Sequence, residues 1–204
     1  MSKNLTRRDL LGRASIYGTG LSLAMISHLP LAAAAAARSQ TRETLTETEW
    51  CAVQAITGRL IPSDGSPGAI EANCVNFIDK ALAHEEKSAL GMVRQNVAAL
   101  DRHCALNRGQ TFCKLTYPDQ DSVLISLEDS QVPDWPAPAG DSADFFGFIR
   151  ALTIMGFLAD PKYGGNRNFS GWRAAGYPGP RHHGGGYTDA QMLGKAVIKP
   201  AWDA

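Results

Sequence analysis

The sequence predicts a mostly α-helical fold: a compact helical domain followed by a long, ordered C-terminal coil rich in glycine and aromatic residues. Apolar residues recur every three or four positions between residues 46 and 128, and the alternation typical of strands is scarce. The run FFGFIRALTIMGFLA (Phe145–Ala159) has only Arg150 and Thr153 as polar side chains. It is longer than an ordinary strand and shorter than the ~20 residues that cross a bilayer. We therefore expect a helix enclosed by other helices.

Two helices are predicted before residue 84. Thr46 and Glu49 form a capping box, which marks the start of the first helix, and Pro62 ends it. Its buried stripe consists of Trp50, Val53, Ile56 and Leu60. Ser66 and Pro67 supply a cap and a first-turn proline for the second helix. We expect this helix to bury Ile70, Cys74, Phe77 and Ala81.

Three further elements precede the apolar helix. A third helix over about residues 85–106 ends at Asn107 or Gly109, and its stripe is Leu90, Val93, Val97, Leu100 and Cys104. A short turn follows at Phe112 and Leu115. Pro118 opens another helix, which faces inward through Val123, Leu124 and Leu127. Gln131–Gly140, with three prolines, is a stiff connector.

The segment after the apolar helix combines glycines with aromatic rings. Pro161 stops the helix at Asp160, because proline disfavours the α conformation in the preceding residue. The sequence KYGGNRNFSGWRAAGYPGP then indicates an ordered irregular segment that contacts another molecule. Its expected partner-binding residues are Tyr163, Asn166, Phe169, Trp172 and Tyr177. The alternative is that the same rings pack on the chain's own helices.

The N-terminus has the pattern of an export signal. Arg7 and Arg8 precede Leu10 and Leu11, a moderately apolar run follows to Leu31, and small residues at 32–37 suit a signal peptidase. The arginine pair indicates a twin-arginine signal peptide over residues 1–37, leaving residues 38–204 as one helical domain. An uncleaved membrane anchor and a chance arginine pair are the alternatives. We expect a periplasmic protein delivered by the twin-arginine translocase.

Charge disfavours nucleic acid as a partner. The whole chain has 20 basic and 20 acidic residues, but the leader holds 4 basic and 1 acidic residue. The remainder therefore carries 16 basic and 19 acidic residues, a net charge near −3. Such a chain has no large basic footprint.

Four cysteines fall in the exported part of the chain, at positions 51, 74, 104 and 113. An even number in an oxidising compartment predicts one or two disulfides among Cys51, Cys74, Cys104 and Cys113, and three pairings are open. Buried free thiols are one alternative. A metal site with His103 is the other, although the usual C-x-x-C spacing does not occur.

No convincing catalytic set is visible in the sequence. His182 and His183 could bind a metal, but adjacent side chains in an extended loop point apart, and a solvated loop is the simpler interpretation. Gly164-Gly165-Asn166 is a weak candidate anion cradle, since no helix clearly follows it. Nucleophile-elbow and nucleotide-binding motifs do not occur. We predict no catalytic, cofactor-binding or metal-binding residue.

Two blocks carry a resemblance to a known family. The segment ADPKYGGNRNFSGWRAAGYPGP resembles the signature region of the gluconate 2-dehydrogenase subunit 3 family, and RLIPSDGSPGAIEANCVNFIDKAL resembles its N-terminal motif. With the leader, the resemblance spans nearly the whole chain. It implies a small, cofactor-free subunit of a membrane-bound periplasmic sugar or sugar-acid dehydrogenase. It also implies two partners, a large FAD-bearing subunit and a multihaem cytochrome c that holds haem c.

The resemblance and the leader support each other. Twin-arginine export usually carries a protein folded around a cofactor, yet this chain has no cofactor motif, and escorting a cofactor-loaded partner would account for both. The first hypothesis is thus a non-catalytic escort subunit, associated with the membrane through its complex. A free-standing periplasmic enzyme with a metal at His182 and His183 is the second, and a periplasmic binding module is the third.

Overall fold

A computed structural model of the chain describes residues 42–181 and 186–200, and these residues are mostly helical, with no strand among them. This confirms the predicted mostly α-helical class, and the long ordered C-terminal coil stays a prediction. The α-helices of the described part are α1 (Glu47–Leu60), α2 (Cys74–Ala83), α3 (Leu90–Arg108), α4 (Tyr117–Glu128), α5 (Ser142–Leu158), α6 (Ser170–Ala174) and α7 (Asp189–Met192). Short 3-10 turns cover Lys87–Ala89, Phe112–Lys114, Ala137–Ala139, Pro161–Tyr163 and Arg167–Phe169.

Helix ends follow the local signals in the sequence. The Thr46 hydroxyl accepts a hydrogen bond from the Glu49 amide at 3.3 Å, and the Glu49 carboxylate accepts from the Thr46 amide at 2.8 Å. Gly109 adopts a left-handed conformation with φ 73° and ends α3. Pro118 lies in the first turn of α4, which the Thr116 hydroxyl caps. The predicted capping box, glycine stop and proline start are therefore confirmed.

The second helix starts later than the sequence predicts. It begins at Cys74, and the preceding Asn73 is left-handed with φ 62°, so the turns before it do not continue into the helix. The Ala69 amide instead donates to the Ile61 carbonyl oxygen at 2.8 Å, which folds this stretch back on the end of α1. Ile70 is 46% exposed as a result, and its predicted burial is wrong.

The core forms where α5 packs against α1, α2, α3 and α4. From α5 it takes Phe145, Ile149 and Leu152, all nearly inaccessible. The connector before α5 is held down by Asn96 of α3, whose side-chain amide donates to the Ala139 carbonyl oxygen at 2.6 Å. Within the described residues, no helix is both long and apolar enough to span a membrane.

A buried carboxylate fixes the start of the described chain. Asp79 of α2 accepts hydrogen bonds from the backbone amides of Glu43, Thr44 and Leu45, at 2.6, 3.0 and 2.7 Å. Three donors compensate for the loss of water around a fully buried charge. The residues that lead into α1 are thereby attached to α2.

One disulfide joins two distant parts of the chain. Cys51 of α1 is bonded to Cys113 in the turn Phe112–Lys114, with 5.8 Å between their Cα atoms. Cys74 and Cys104 are free and buried. This confirms one disulfide and identifies the pair. Burial raises the pKa of the Cys74 and Cys104 thiols to about 12, so both remain protonated at neutral pH.

Two sequence predictions lie outside the described residues. They are the leader with Arg7, Arg8, Leu10 and Leu11, and the histidine pair His182–His183. Both stay predictions. Within residues 42–181 and 186–200, no group of three or more His, Cys, Asp and Glu side chains could hold a metal ion.

Candidate docking surface

Asn166 fastens the glycine- and aromatic-rich segment to the C-terminal end of α5. Its side chain is fully buried, and its amide nitrogen Nδ2 donates to the Ala159 carbonyl oxygen at 2.8 Å. Its Oδ1 accepts from the amides of Gly171 at 2.9 Å and Trp172 at 3.4 Å. Asn166 is thus a structural residue of this surface, although the sequence suggests partner binding.

Trp172 is a second internal anchor. It is buried, and its indole Nε1 donates to the Leu158 carbonyl oxygen at 2.7 Å, which satisfies an acceptor at the end of α5. Its ring stacks on Phe169 with 5.3 Å between centroids and meets Tyr177 edge-on at 5.1 Å. The alternative interpretation, that these rings pack on the chain's own helices, therefore applies to Trp172. It applies in part to Phe169, which is half-buried against the Trp172 ring.

Two glycines in this segment are required by close backbone approach. A Cβ atom at Gly165 would collide with the Gly156 carbonyl oxygen, and one at Gly171 would collide with the Phe157 carbonyl oxygen. The backbone amide of Asn166 donates to the same Gly156 carbonyl oxygen at 2.8 Å. Glycine allows the segment to lie directly on the backbone of α5.

The candidate anion cradle at Gly164-Gly165-Asn166 does not fit a ligand. The Gly164 carbonyl oxygen accepts from the Asn76 side chain at 2.8 Å and from Asn73 at 3.2 Å. The Asn166 amide is used by Gly156. The Gly164 backbone amide donates to the Pro161 carbonyl oxygen at 3.0 Å, so two of the three backbone amides of this motif are used within the fold.

The side chains that point away from the body form an apolar surface. Ala151, Ile154, Met155 and Leu158 lie on one side of α5 and are exposed; we call them the outer face of α5. The last three are 47%, 53% and 44% accessible. The prediction that α5 is enclosed on every side is wrong, because α1–α4 cover only its other side.

Tyr163 lies beyond the C-terminal end of this face. It is 50% exposed, and the Lys162 ammonium sits 4.9 Å from the centre of its ring. Tyr177 is also exposed, at 37%. Of the five predicted partner-binding residues, Tyr163 and Tyr177 are thus the most available to another molecule. The sequence did not reveal the outer face of α5, because a helix that is apolar all round gives no periodic signal for its exposed side.

A cleft of about 470 Å³ lies elsewhere, beside the disulfide. It is lined by parts of α1 and α4 and by the turns around Pro62 and Ile70. Its charged groups are already paired: Arg59 binds Asp121 bidentately at 2.7 and 2.8 Å, and the Ser63 hydroxyl donates to Glu71. The Arg59 guanidinium also covers the Tyr117 ring at 4.7 Å. The Glu71 carboxylate also accepts from the Gly68 backbone amide at 3.0 Å, so Ser63 and Glu71 fix the turn between α1 and α2.

The chain matches one family model, described as gluconate 2-dehydrogenase subunit 3, over residues 47–179. This span covers more than half of the 204 residues and contains α1 to α6. Neither a curated protein nor a solved structure matches the chain. The matched region ends just after Tyr177, so it includes the outer face of α5 and the glycine- and aromatic-rich segment as far as Gly179.

Proposed function

The chain belongs to the gluconate 2-dehydrogenase subunit 3 family, and from this premise we propose that it is the small, non-catalytic subunit of a periplasmic FAD-dependent dehydrogenase complex. The observation that carries the proposal is the family match across residues 47–179. The complex would oxidise a sugar, a sugar acid or a polyol at its large FAD-bearing subunit. Electrons would then pass to a multihaem cytochrome c subunit.

The cofactors in this proposal belong to the partner subunits. FAD is held by the large subunit and haem c by the cytochrome, and this chain holds neither. The Gly164–Asn166 turn is compatible with that division, because its polar groups bond within the fold, to Asn73 and Asn76 at the start of α2 and to Gly156 of α5. The role of this chain is to bind and stabilise the flavoprotein.

Export is the second part of the proposed role. The twin arginines Arg7 and Arg8 would direct the folded chain to the twin-arginine translocase, and the large subunit would cross the membrane bound to it. The complex would then lie at the outer face of the inner membrane. Such an escort must bind its partner before export, and this requires a stable docking surface. The outer face of α5 offers three large apolar side chains for that purpose.

The experiment is an affinity purification of the tagged chain from periplasm and membranes. We expect a large protein that carries flavin absorption, identified by its mass and by its extracted FAD. Replacing Arg7 and Arg8 by lysine should leave that flavoprotein in the cytoplasm. A chain that is recovered alone and colourless from both fractions would contradict the proposal.

A further inference from the structure

Charge is divided unevenly between two parts of the chain. Residues 42–160, which we call the body, contain 17 acidic and 9 basic side chains, whereas residues 161–204, the C-terminal segment, contain 6 basic and 2 acidic ones. The net charges are therefore −8 and +4 with histidine neutral. The nearly neutral total conceals this division, which favours an oppositely charged partner for the C-terminal segment.

The arginines of the body are mostly paired within it. Five of its six arginines make ion pairs: Arg42 with Glu47, Arg59 with Asp121, Arg94 with Glu49, Arg108 with Asp119 and Arg150 with Glu128. Arg102 is the exception. In the C-terminal segment, Arg167 and Arg173 are exposed, and neither forms an ion pair with a described residue.

These arginines lie on the segment that packs against the C-terminal end of α5. Arg173 follows Trp172, whose indole is bonded to the Leu158 carbonyl oxygen at 2.7 Å. The Arg167 backbone amide donates to the Ala72 carbonyl oxygen at 3.0 Å, and the preceding Asn166 backbone amide donates to the Gly156 carbonyl oxygen at 2.8 Å. Exposed positive charge thus follows the apolar face along the chain, and protein interfaces commonly combine an apolar centre with a polar rim.

We propose that the outer face of α5, Tyr163 and the exposed Arg167 and Arg173 form one docking surface, and that its occupant is an apolar patch bordered by carboxylates on the large flavoprotein subunit. This assignment rests on the proposed function, because subunit membership in a dehydrogenase family is what supplies a protein partner. The apolar side chains supply most of the affinity. The arginines supply orientation and speed of association.

A second copy of this chain and a lipid surface fit the same features less well. A symmetric dimer through this face would bring two positively charged segments together, which costs electrostatic energy. A helix that lies on a membrane needs a solvated polar side opposite its apolar one. The opposite side of α5 instead carries Phe145, Ile149 and Leu152 into the core.

The test measures binding of the purified flavoprotein subunit to variants of the full chain. Met155→Glu places a charge in the apolar centre, and we expect its Kd to rise at least about 30-fold. Its matched control is Leu106→Glu near the end of α3, because Leu106 is an apolar residue that is more exposed than Met155. We expect the Leu106→Glu variant to bind within about twofold of the native chain, as is usual for residues outside an interface.

A second pair of variants tests the charged border. Arg173→Glu should raise the Kd about fivefold at low salt, and the difference from the native chain should shrink between about 50 and 500 mM salt. Arg102→Glu is the control, since Arg102 is an exposed arginine of the body that forms no ion pair with a described residue. It should leave both the Kd and its salt dependence unchanged. Circular dichroism checks that all four variants fold.

The outcomes separate this assignment from the proposed function. A native chain that binds no flavoprotein overturns both. A native chain that binds tightly while Met155→Glu and Leu106→Glu weaken binding equally, or not at all, overturns only the assigned surface. Two further results would also overturn the assigned surface. In the first, Met155→Glu abolishes binding of the chain to vesicles of phosphatidylglycerol and phosphatidylcholine but leaves flavoprotein binding unchanged. In the second, Met155→Glu abolishes dimerisation of the chain but leaves flavoprotein binding unchanged.

Discussion

The body and the C-terminal segment satisfy their polar groups in different ways. In the body, charged side chains pair with one another, as Arg59 does with Asp121 and Arg94 with Glu49. In the C-terminal segment, the uncharged Asn166 and Trp172 bond to the C-terminal end of α5, and the exposed Arg167 and Arg173 pair with no described residue. The difference shows a segment that is fixed on its inner side and exposes Arg167 and Arg173 on its outer side. A surface of this kind is rigid before it binds, which lowers the entropy cost of binding.

Removing the disulfide should have the largest effect, and it falls on the body. Cys51 and Cys113 are separated by 62 positions, and loss of a cross-link of this span costs about 4 kcal/mol in the chain-entropy account. Urea unfolding of the chain with and without reductant measures it. An unchanged free energy of unfolding would show that the body does not depend on this cross-link.

Replacing Asn166 should be the most damaging single change in the C-terminal segment. Asn166→Ala removes the bonds to Ala159, Gly171 and Trp172 and should cost about 3 kcal/mol, because buried donors and acceptors are left unpaired. Asn166→Gly loses the same bonds but tolerates the left-handed φ of 43°, so it should cost about 1 kcal/mol less. Thermal unfolding of the two variants compares them. Equal costs would rule out a contribution from backbone conformation.

Gly171→Ala tests the close packing between the segment and α5. The added Cβ would meet the Phe157 carbonyl oxygen, and we expect a loss of about 2 kcal/mol in stability. The control is Gly147→Ala in the middle of α5, where a Cβ meets nothing within 4 Å. That change should add up to about 1 kcal/mol, since alanine favours a helix more than glycine does. A tolerated Gly171→Ala would contradict the close packing.

Replacing a paired arginine and replacing one that is unpaired among the described residues should differ slightly in their effect on the free energy of unfolding. Arg94→Ala breaks an ion pair with Glu49 at 3.3 Å and should cost about 0.5 kcal/mol. Arg173→Ala removes no ion pair within the described residues, so the free energy of unfolding of the isolated chain should stay unchanged. Urea titration of both variants gives the comparison. A larger cost for Arg173→Ala would show that its side chain supports the fold.

The free thiols of Cys74 and Cys104 provide a chemical test of the cysteine pairing, because neither should react in the folded chain. Because burial raises the pKa of Cys74 and Cys104 to about 12, about 1 in 10,000 would be thiolate at pH 8. We expect no reaction with a thiol reagent until the chain unfolds, when two thiols should titrate without reductant. Four thiols would contradict the Cys51–Cys113 disulfide, and zero would contradict free Cys74 and Cys104.

The sequence allowed the local features of the fold to be predicted, because short-range chemistry determines them. The Thr46–Glu49 capping box, the stop at Gly109 and the start at Pro118 depend on neighbours within a few residues. The position of Ile70 depends instead on how residues 66–73 fold back on α1, which is a tertiary effect. The Cys51–Cys113 pairing spans 62 positions and is likewise set by packing.

The sequence indicates only some features of the proposed docking surface. The glycines and rings after Pro161 indicated an ordered segment, but residue type alone could not separate the inward Asn166 and Trp172 from the outward Tyr163. The outer face of α5 was missed because an uninterrupted apolar run hides which side is exposed. The charge division was visible in the sequence, but its meaning depends on which arginines are paired in the fold.

Hydroxyl-radical footprinting of the free chain and of its complex with the flavoprotein tests the account most directly. Met155 and Tyr163 are exposed and readily oxidised, as is Tyr117 of α4, which lies outside the docking surface. We predict that oxidation of Met155 and Tyr163 falls severalfold in the complex while that of Tyr117 is unchanged. A verified complex in which Met155 and Tyr163 are oxidised as fast as in the free chain would contradict it.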